Sequence, residues 1–196
     1  MDEDVPNVDA AQTALVLMDF QPAVLGTVAE SDMAALLANA GKALTWARSA
    51  GLTVAHVRVA FQDADYRAIP QRNRAFAPLR GGGMMADGSP ECEIVESLRP
   101  QRDEIVVRKT RFGSFSTTNL SSRLREAGIE SLILAGISTS GVVLSTVRDA
   151  ADQDFQIYVL ADACADGNSH VHSLLTEAVF PHQAYVINTA QLDQLA

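Results

Sequence analysis

Short apolar runs alternate with amphipathic stretches along the whole chain. Each run is apolar on consecutive positions, which is typical of strands buried on both faces of a parallel sheet. The runs cover residues 13–19, 52–59, 104–109, 132–135, 156–160 and 184–187. Apolar residues at helical spacing predict helices between them, over residues 31–50, 116–128, about 140–150 and 169–180. The alternation predicts an α/β fold, a three-layer α/β/α sandwich around a Rossmann-like, six-stranded, mainly parallel sheet.

Capping residues mark the ends of two predicted helices. Ser31 and Asp32 are suitable N-cap residues for the first long helix, and Gly51 is placed to end it. Ser116 is expected to cap the helix that Gly128 ends. The caps therefore agree with the apolar periodicity on where these helices begin and end.

Residues 61–100 are the least regular part of the chain. They contain several prolines and arginines and the run Gly81-Gly82-Gly83. A short helix fits between Cys92 and Leu98. A long loop inside a compact domain is usually either functional or disordered.

Composition narrows the classes of function. A length of 196 residues suits one domain, residues 1–196, with an apolar fraction of 47% and a charged fraction of 20%. The net charge of −9 argues against a nucleic-acid partner and against an anionic membrane surface. The acidic N-terminus is unlike a signal peptide, and no apolar run approaches the ~18 residues of a membrane span. We therefore expect a cytoplasmic protein with a small-molecule substrate and no nucleic-acid or membrane partner.

Three predicted strand ends carry candidate chemistry: Asp19, Lys109 and the turn Ser138–Val142. The carboxyl ends of neighbouring parallel strands line one crevice, so Asp19 and Lys109 are expected to pair there. The lysine would then keep the carboxylate ionised and aimed for proton transfer. Backbone amides at the head of the next helix would face the same crevice and could stabilise an oxyanion. Each charge taken alone is ordinarily a solvated strand end, so the hypothesis depends on their convergence.

Side chains near these strand ends are expected to shape a pocket. Phe20 follows the first strand, and Phe112 and Phe115 follow the third, so adjacency predicts an aromatic wall. Arg72 and Arg74 could bind a carboxylated substrate from the long loop. Solvated charges and subunit contacts are the competing interpretations of these two arginines.

The two cysteines have simpler explanations than catalysis. Cys164 is expected to be a buried, small apolar residue. Two neighbouring glutamates should raise the pKa of Cys92 and weaken it as a nucleophile. Two cysteines also make neither a disulfide framework nor a zinc pattern.

The histidines and hydroxyls are likewise weak candidates. His56 lies in the middle of a predicted strand and is expected to be a hydrogen-bonded core histidine. His170 and His172 are two residues apart and do not share a helix face, which argues against a metal pair. Ser138, Thr139 and Ser140 could supply a hydroxyl nucleophile, but no histidine is near them in sequence, so a cap and turn is the simpler interpretation.

Four sequence motifs resemble those of a known enzyme family. They are Leu15-Val-Leu-Met-Asp-Phe-Gln21; Arg108-Lys-Thr-Arg-Phe-Gly-Ser-Phe115 followed by Thr118; Ala135-Gly-Ile-Ser-Thr139 with Ser145-Thr-Val-Arg-Asp-Ala150; and Leu160-Ala-Asp-Ala163. In this order they resemble the successive motifs of the isochorismatase-like hydrolases, and the segment from Leu175 to Pro181 is also similar. The resemblance covers nearly the whole chain. It implies a three-layer α/β sandwich with a parallel sheet, assembled as a homodimer or homotetramer.

Most members of that family carry an Asp–Lys–Cys triad. Matched by motif, the aspartate is Asp19 and the lysine is Lys109, whereas the cysteine position holds Val142. Because valine is not a nucleophile, the resemblance argues against amidase chemistry through a thioester. The metal ligands of the nicotinamidases, which include an Asp-x-His sequence, have no match in His56-Val-Arg-Val-Ala-Phe61 after the second strand. We therefore expect neither a metal nor another cofactor.

The true isochorismatases imply a different chemistry, because they also lack the cysteine and usually have glycine there. In them the aspartate donates a proton to a carbon of a vinyl ether, which requires an acid, a positioned water and anion recognition. The family pattern also implies a cis peptide at Ile137–Ser138 and oxyanion amides at Ser138 and Val142. The side chain of Val142 would take space from the substrate.

Three hypotheses for the function remain. The first is a hydrolase that acts on a small organic molecule, which can be anionic, through Asp19 and Lys109 without a cysteine nucleophile. The second is a catalytically disarmed member of the family that binds a small molecule or has a regulatory role. The third is an amidase-type C–N hydrolase with another nucleophile, such as Cys164 or Cys92.

Overall fold

The computed structural model of the protein describes residues 5–195. At its centre lies one six-stranded sheet in which neighbouring strands are parallel. The strands are β1 (Thr13–Met18), β2 (Thr53–Val59), β3 (Ile105–Lys109), β4 (Ser131–Ile137), β5 (Gln156–Ala165) and β6 (Tyr185–Ile187). Their order, β3-β2-β1-β4-β5-β6, is that of a Rossmann-like doubly wound sheet. The predicted fold class is confirmed, and the sheet is wholly rather than mainly parallel.

Helices lie on both faces of the sheet. They are α1 (Pro22–Leu25), α2 (Glu30–Ala50), α3 (Asp63–Ala68), α4 (Leu120–Glu126), α5 (Leu144–Ala151) and α6 (Ser169–Leu174). Within residues 5–195, no helix has both the length and the apolar character that crossing a bilayer requires.

Each face of the sheet carries its own hydrophobic core. Side chains alternate along β1, so Ala14, Val16 and Met18 join one core whereas Leu15 and Leu17 join the other. Helices α4 and α5 pack on the first core, and α2 packs on the second. Burial on both faces explains why the strands are apolar on consecutive positions.

The winding of the sheet reverses between β1 and β4, and ligands of doubly wound sheets bind at the carboxyl edge beside such a point. The two strands approach closely there, because a Cβ on Gly136 would lie 2.8 Å from the carbonyl oxygen of Met18. The next residue, Asp19, has a φ of 60°, in the left-handed region. The chain therefore turns sharply after β1 and leaves Asp19 at the edge.

Residues 61–92, which we call the roof, cover this edge. The roof and the end of β2 share a third apolar cluster, made of Val59, Phe61, Tyr66, Ile69 and Phe76. Two ion pairs fasten the roof to the sheet, Arg58 Nη2 to Asp87 Oδ1 at 2.7 Å and Arg108 Nη1 to Asp65 Oδ2 at 2.6 Å. The long irregular segment is thus an ordered part of the fold.

Two predicted N-caps are wrong. Helix α2 begins at Glu30 with Ala29 at the N-cap position, and the Ser31 hydroxyl donates to the Asp32 carboxylate instead of capping a backbone amide. Helix α4 begins at Leu120 with Asn119 at the N-cap position. Ser116 lies in the preceding turn, where its hydroxyl donates to the carbonyl of Gly113. Gly51 does end α2, with a φ of 77°.

Three other predicted elements differ from the structure. Instead of one helix between Cys92 and Leu98 there are two 3₁₀ turns, Pro90–Cys92 and Glu96–Leu98, since the Val95 amide donates to the Phe20 carbonyl. Strand β5 continues to Ala165, because it resumes pairing with β4 after a register shift. The predicted helix over residues 169–180 is α6 followed by a π turn, Leu175–Val179, and a 3₁₀ turn, Phe180–His182.

Candidate active site

Asp19 and Lys109 meet at the carboxyl edge of the sheet. Lys109 is the last residue of β3 and Asp19 follows β1, with only β2 between those strands. The Lys109 Nζ lies 2.7 Å from the Asp19 Oδ2. Asp19 is 4% exposed and Lys109 is 2% exposed, so the pair is shielded from solvent. The structure thus brings together the two charges that the sequence placed on separate strands.

The ammonium group of Lys109 bonds to three acceptors of the site. Besides Asp19, its Nζ donates to the carbonyl of Arg111 at 3.0 Å and to the carbonyl of Phe112 at 2.9 Å. An ammonium has three N–H donors, so these three acceptors satisfy it. Lys109 therefore fixes both the carboxylate and the chain that follows β3.

Asp19 is less completely satisfied than its partner. Its Oδ1 is buried and has no hydrogen-bond partner among residues 5–195. Burial raises the pKa of Asp19 to about 6, although Lys109 acts in the opposite direction. Desolvation thus outweighs the attraction of Lys109 in setting this pKa, and the carboxyl is largely but not wholly ionised at pH 7. A carboxyl with this pKa can give up or take up a proton near neutral pH.

The turn after β4 forms the floor of the site. The Ile137–Ser138 peptide is cis, as the family resemblance implies. A π turn, Thr139–Val143, follows and leads directly into α5. The Ser140 amide donates to Asp166 Oδ2 at 2.8 Å, which fixes the turn from outside. Ser138 and Val142, whose amides were predicted to face the crevice, both line the cavity described next.

A cavity of about 250 Å³ opens above the Asp19–Lys109 pair. Residues of the roof and of the turn both contribute to its lining. Its lining consists of Asp19, Ala23, Val24, Thr27, Val59, Phe61, Phe76, Leu79, Met85, Lys109, Arg111, Phe112, Ile137, Ser138, Gly141 and Val142. This volume lies just below the range of sites for drug-sized ligands, so the cavity suits a small molecule.

A larger depression of about 850 Å³ lies elsewhere, between α2 and the C-terminal turn. The charged residues that line it, Lys42 and Asp193, are exposed. Exposed charges in open solvent are weak catalysts. The smaller cavity is therefore the better candidate site.

Of the predicted aromatic wall, only Phe112 lines the cavity. Phe20 is buried in the core beneath α2, and Phe115 stacks on Phe155 with ring centroids 6.2 Å apart. Phe61 and Phe76, from the roof, provide the aromatic surface instead. Adjacency along the chain does not determine the direction of a side chain at a sharp turn.

Arg72 and Arg74 are exposed and are not among the residues that line the cavity. The arginine that does line it is Arg111, which sequence reasoning missed. A signal was available, because Arg111 lies two residues beyond Lys109 and must therefore stand near the same edge of the sheet.

Both cysteines lie outside the cavity lining. Cys164 is buried in the first core, and burial raises the pKa of its thiol to about 12. Cys92 is fully buried, and burial rather than its acidic neighbours is the main cause of its raised pKa. The prediction that Cys164 is a buried apolar residue is confirmed.

A contact between Thr139 and His172 is a second feature that the sequence did not reveal. Thr139 Oγ1 and His172 Nδ1 are 2.8 Å apart, although 33 residues separate them in sequence. Thr139 is fully buried behind the turn and does not line the cavity. Burial lowers the pKa of His172, although Asp166 and Glu177 act in the opposite direction. The Thr139–His172 pair links the turn to α6.

Metal ligands are not assembled in the described part of the chain, where no group of three or more His, Cys, Asp or Glu residues could hold a metal ion. His56 is 1% exposed, and its Nε2 is 3.0 Å from Glu104 Oε2. The prediction that His56 is a hydrogen-bonded core histidine is confirmed.

An all-parallel, doubly wound sheet with a cavity at its carboxyl edge defines the broad class of α/β enzymes. The family can be named from comparison with known proteins, because a model of the isochorismatase domain matches residues 13–191. The chain belongs to the isochorismatase family. This membership, together with the hydrolases among its relatives, indicates that the protein is a hydrolase.

Two curated relatives cover most of the chain. The phenazine biosynthesis protein PhzD1 of Pseudomonas aeruginosa is 29% identical over 95% of this chain and 87% of its own. The ureidoacrylate amidohydrolase RutB of Acinetobacter baylyi is 30% identical over 78% of this chain and 70% of its own. The crystal structure of a cysteine hydrolase from Pseudomonas syringae pv. phaseolicola 1448A superimposes with a TM-score of 0.85 at 20% identity, covering 100% of this chain and 98% of that one. The last similarity concerns the fold alone.

Proposed function

We propose that the protein hydrolyses a small organic substrate by acid–base chemistry at Asp19 and Lys109, without a cysteine nucleophile. The observation that carries this proposal is the Asp19 carboxyl itself. One of its oxygens is paired with Lys109, the other is buried without a hydrogen-bond partner among residues 5–195, and the residue lines the cavity. An oxygen in this state can carry a proton or activate a water.

Val142 is the reason to favour acid catalysis over a covalent mechanism. It occupies the position at which most family members have their cysteine, and its side chain is 2% exposed and packed in the first core. Neither Cys92 nor Cys164 lines the cavity. The position of both thiols outside the lining supports a mechanism without a thioester intermediate.

A vinyl ether is the substrate type that best fits a site with an acid, a lysine and backbone amides but no cysteine nucleophile. Protonated Asp19 would transfer its proton to the terminal alkene carbon, which leaves a positive charge shared with the ether oxygen. Water would add to the charged carbon and return a proton to the Asp19 carboxylate, and the resulting hemiketal would separate into an alcohol and a carbonyl product. The Lys109 ammonium would stabilise the carboxylate that Asp19 becomes. Ser138 and Val142 would offer backbone amides to oxygen atoms of the substrate.

Amide hydrolysis is the competing activity, because RutB relatives are amidohydrolases. In that case ionised Asp19 would act as the base that activates a water for attack on the carbonyl carbon. The two reactions require opposite protonation states of one residue, so they can be distinguished.

The test is turnover of matched vinyl ethers, amides and esters by the wild type and by Asp19→Asn. We expect vinyl ether hydrolysis by the wild type and a loss of at least about 100-fold in Asp19→Asn, the usual contribution of an acid–base group. Asp149→Asn is the matched control, because burial also raises the pKa of Asp149 but that residue does not line the cavity. Equal rates in Asp19→Asn and the wild type would refute the proposal.

Val142→Cys adds a second readout. If the wild type turns over no substrate and Val142→Cys acquires amidase activity, the protein is a disarmed member of the family, and the proposed activity is wrong. If the wild type hydrolyses vinyl ethers, the disarmed interpretation fails.

A further inference from the structure

The charges that line the cavity do not balance. Three charged side chains contribute to the lining, Asp19, Lys109 and Arg111. When Asp19 is ionised, it and Lys109 neutralise each other at 2.7 Å. Arg111 forms no salt bridge with any carboxylate in residues 5–195. The cavity therefore contains one positive charge that the described protein leaves uncompensated.

The guanidinium of Arg111 is held in place before any ligand binds. It lies over the ring of Phe76, with its central carbon 5.0 Å from the ring centroid. Its Nη1 donates to the carbonyl of Thr110 at 2.6 Å. The backbone of Arg111 is also fixed, because its carbonyl accepts from Lys109 Nζ at 3.0 Å. A pre-positioned guanidinium loses less conformational entropy when it binds an anion.

Most of the remaining lining is apolar. Phe61, Phe76 and Phe112 supply aromatic surface, with the Phe76 and Phe112 rings 4.9 Å apart, and Leu79 and Met85 extend it. A strongly hydrated, multiply charged molecule would lose its water here without compensation. A ligand with one anionic group and an otherwise apolar body would not.

We propose that Arg111 is the carboxylate-recognition residue of this cavity, and that the substrate is a small monocarboxylate with an apolar, unsaturated body. The substrate carboxylate pairs with the guanidinium, its body lies against the phenylalanines, and its reacting bond reaches Asp19. The proposal rests on the function proposed above for the choice of site, but anion recognition can be measured without turnover.

The cavity that Asp19 and Arg111 share supports a compact substrate. Lys109 Nζ touches both the Asp19 carboxylate and the Arg111 carbonyl, so it holds the backbone of Arg111 beside the acid, and both residues line the same cavity. The cavity volume of about 250 Å³ limits the molecule further. The carboxylate and the reacting bond therefore belong to the same small molecule.

The experiment compares the affinities of three acids with those of their neutral amides: benzoate, cyclohex-1-ene-carboxylate and crotonate. Dissociation constants are measured by calorimetry for the wild type, Arg111→Gln and Arg111→Lys. Arg74→Gln is the matched control, because Arg74 is exposed and lies outside the cavity lining. Thermal unfolding of each variant checks that it is folded.

We expect at least one acid to bind the wild type more tightly than its amide. Arg111→Gln should weaken that acid at least about tenfold, or about 1.4 kcal/mol, and should leave the amide unchanged. Arg111→Lys should fall between the two, because it keeps the charge and loses the two-pronged geometry. Arg74→Gln should match the wild type.

The inference is overturned if no acid binds more tightly than its amide, or if Arg111→Gln and Arg74→Gln behave alike. Should Arg111→Gln fail to fold, the acid-to-amide preference of Arg111→Lys against the wild type decides the question. Failure of the proposed function looks different. In that case the acids would still show their preference for Arg111, but the wild type would hydrolyse no substrate.

Discussion

Two carboxylates lie at opposite edges of the sheet, and their pKa values are shifted in opposite directions. Glu104 precedes β3, and its oxygens accept from Arg48 at 2.7 and 3.0 Å, from the Gln101 amide at 2.8 Å and from His56 at 3.0 Å. These partners lower the pKa of Glu104 to about 2 even though burial opposes the shift. Asp19 has one charged partner, its other oxygen has none within residues 5–195, and its pKa rises to about 6.

The difference teaches that enough hydrogen-bond partners keep a partly buried carboxylate ionised, whereas a more deeply buried one with few partners holds a proton more readily. Burial disfavours the anion in both places. Four hydrogen bonds compensate Glu104, so it remains a stable anion. Lys109 compensates Asp19 only in part, because the same ammonium also serves the carbonyls of Arg111 and Phe112. Asp19 is therefore left with a proton that it can exchange near neutral pH.

The largest expected effect of this contrast is on the pH dependence of turnover. If Asp19 acts as the acid, its protonated form is active, and that form disappears as the pH rises through about 6. kcat/KM for a vinyl ether should then approach a tenfold fall per pH unit above that value, or about 50-fold between pH 6 and pH 8. A steady-state pH profile measures it.

The same profile has an internal control. A non-ionising vinyl ether substrate removes any titration of the substrate from the data. A rate that instead increases through pH 6 would contradict the acid role and would indicate that Asp19 is a base, as amide hydrolysis requires. A flat profile would mean that Asp19 does not take part in the chemistry.

The next largest effect concerns stability rather than rate. Glu104→Gln should reduce the free energy of unfolding at pH 7 by about 3 kcal/mol, the order that corresponds to a pKa lowered from 4.5 to about 2. The folded pKa lies below the unfolded one, so this stabilisation is present above pH 4.5 and is lost as the pH falls towards 2. Denaturant titrations at pH 7 and pH 3 measure both values, and the variant should approach the wild type at the lower pH.

Glu96→Gln is the matched control for Glu104→Gln. Glu96 also forms an ion pair, with Arg99 at 3.2 Å, but its side chain is 84% exposed. Its replacement should change the stability by less than about 1 kcal/mol. The assignment of Glu104 as a structural carboxylate is wrong if Glu104→Gln and Glu96→Gln lose equal stability. It is also wrong if Glu104→Gln abolishes turnover while the variant remains folded.

The extent to which the sequence predicts the fold and the candidate site depends on how far apart in the chain the interacting residues lie. The apolar runs predicted the sheet, because burial on both faces is a property of consecutive residues. Strand ends predicted that Asp19 and Lys109 meet, because parallel strands share one carboxyl edge. The sequence could not predict the pKa of Asp19, since it identifies a partner of the carboxylate but not its desolvation.

Contacts between distant segments were the other part that could not be predicted. The roof places Phe61 and Phe76 over the cavity through tertiary packing, and no local pattern indicates this. The directions of Phe20 and Phe115 depend on the turns that carry them, so neighbouring positions were misleading. His172 meets Thr139 only because α6 packs beside the turn.

The Thr139–His172 pair shares one feature with each of the two carboxylates. Its removal should have the smallest effect on stability and rate. Thr139 is buried and bonded, like Glu104, but it belongs to the turn that forms the floor of the Asp19 site. Thr139→Val removes the hydroxyl and keeps the shape, at a cost of about 1 kcal/mol in stability. If the turn must be held for catalysis, kcat should also fall by about fivefold, the same free energy expressed in the transition state, while KM stays constant.

Thr176→Val is the control, since it removes a buried hydroxyl that bonds only to the backbone of α6. Equal kcat values for the two variants would show that the pair stabilises the fold without positioning the turn.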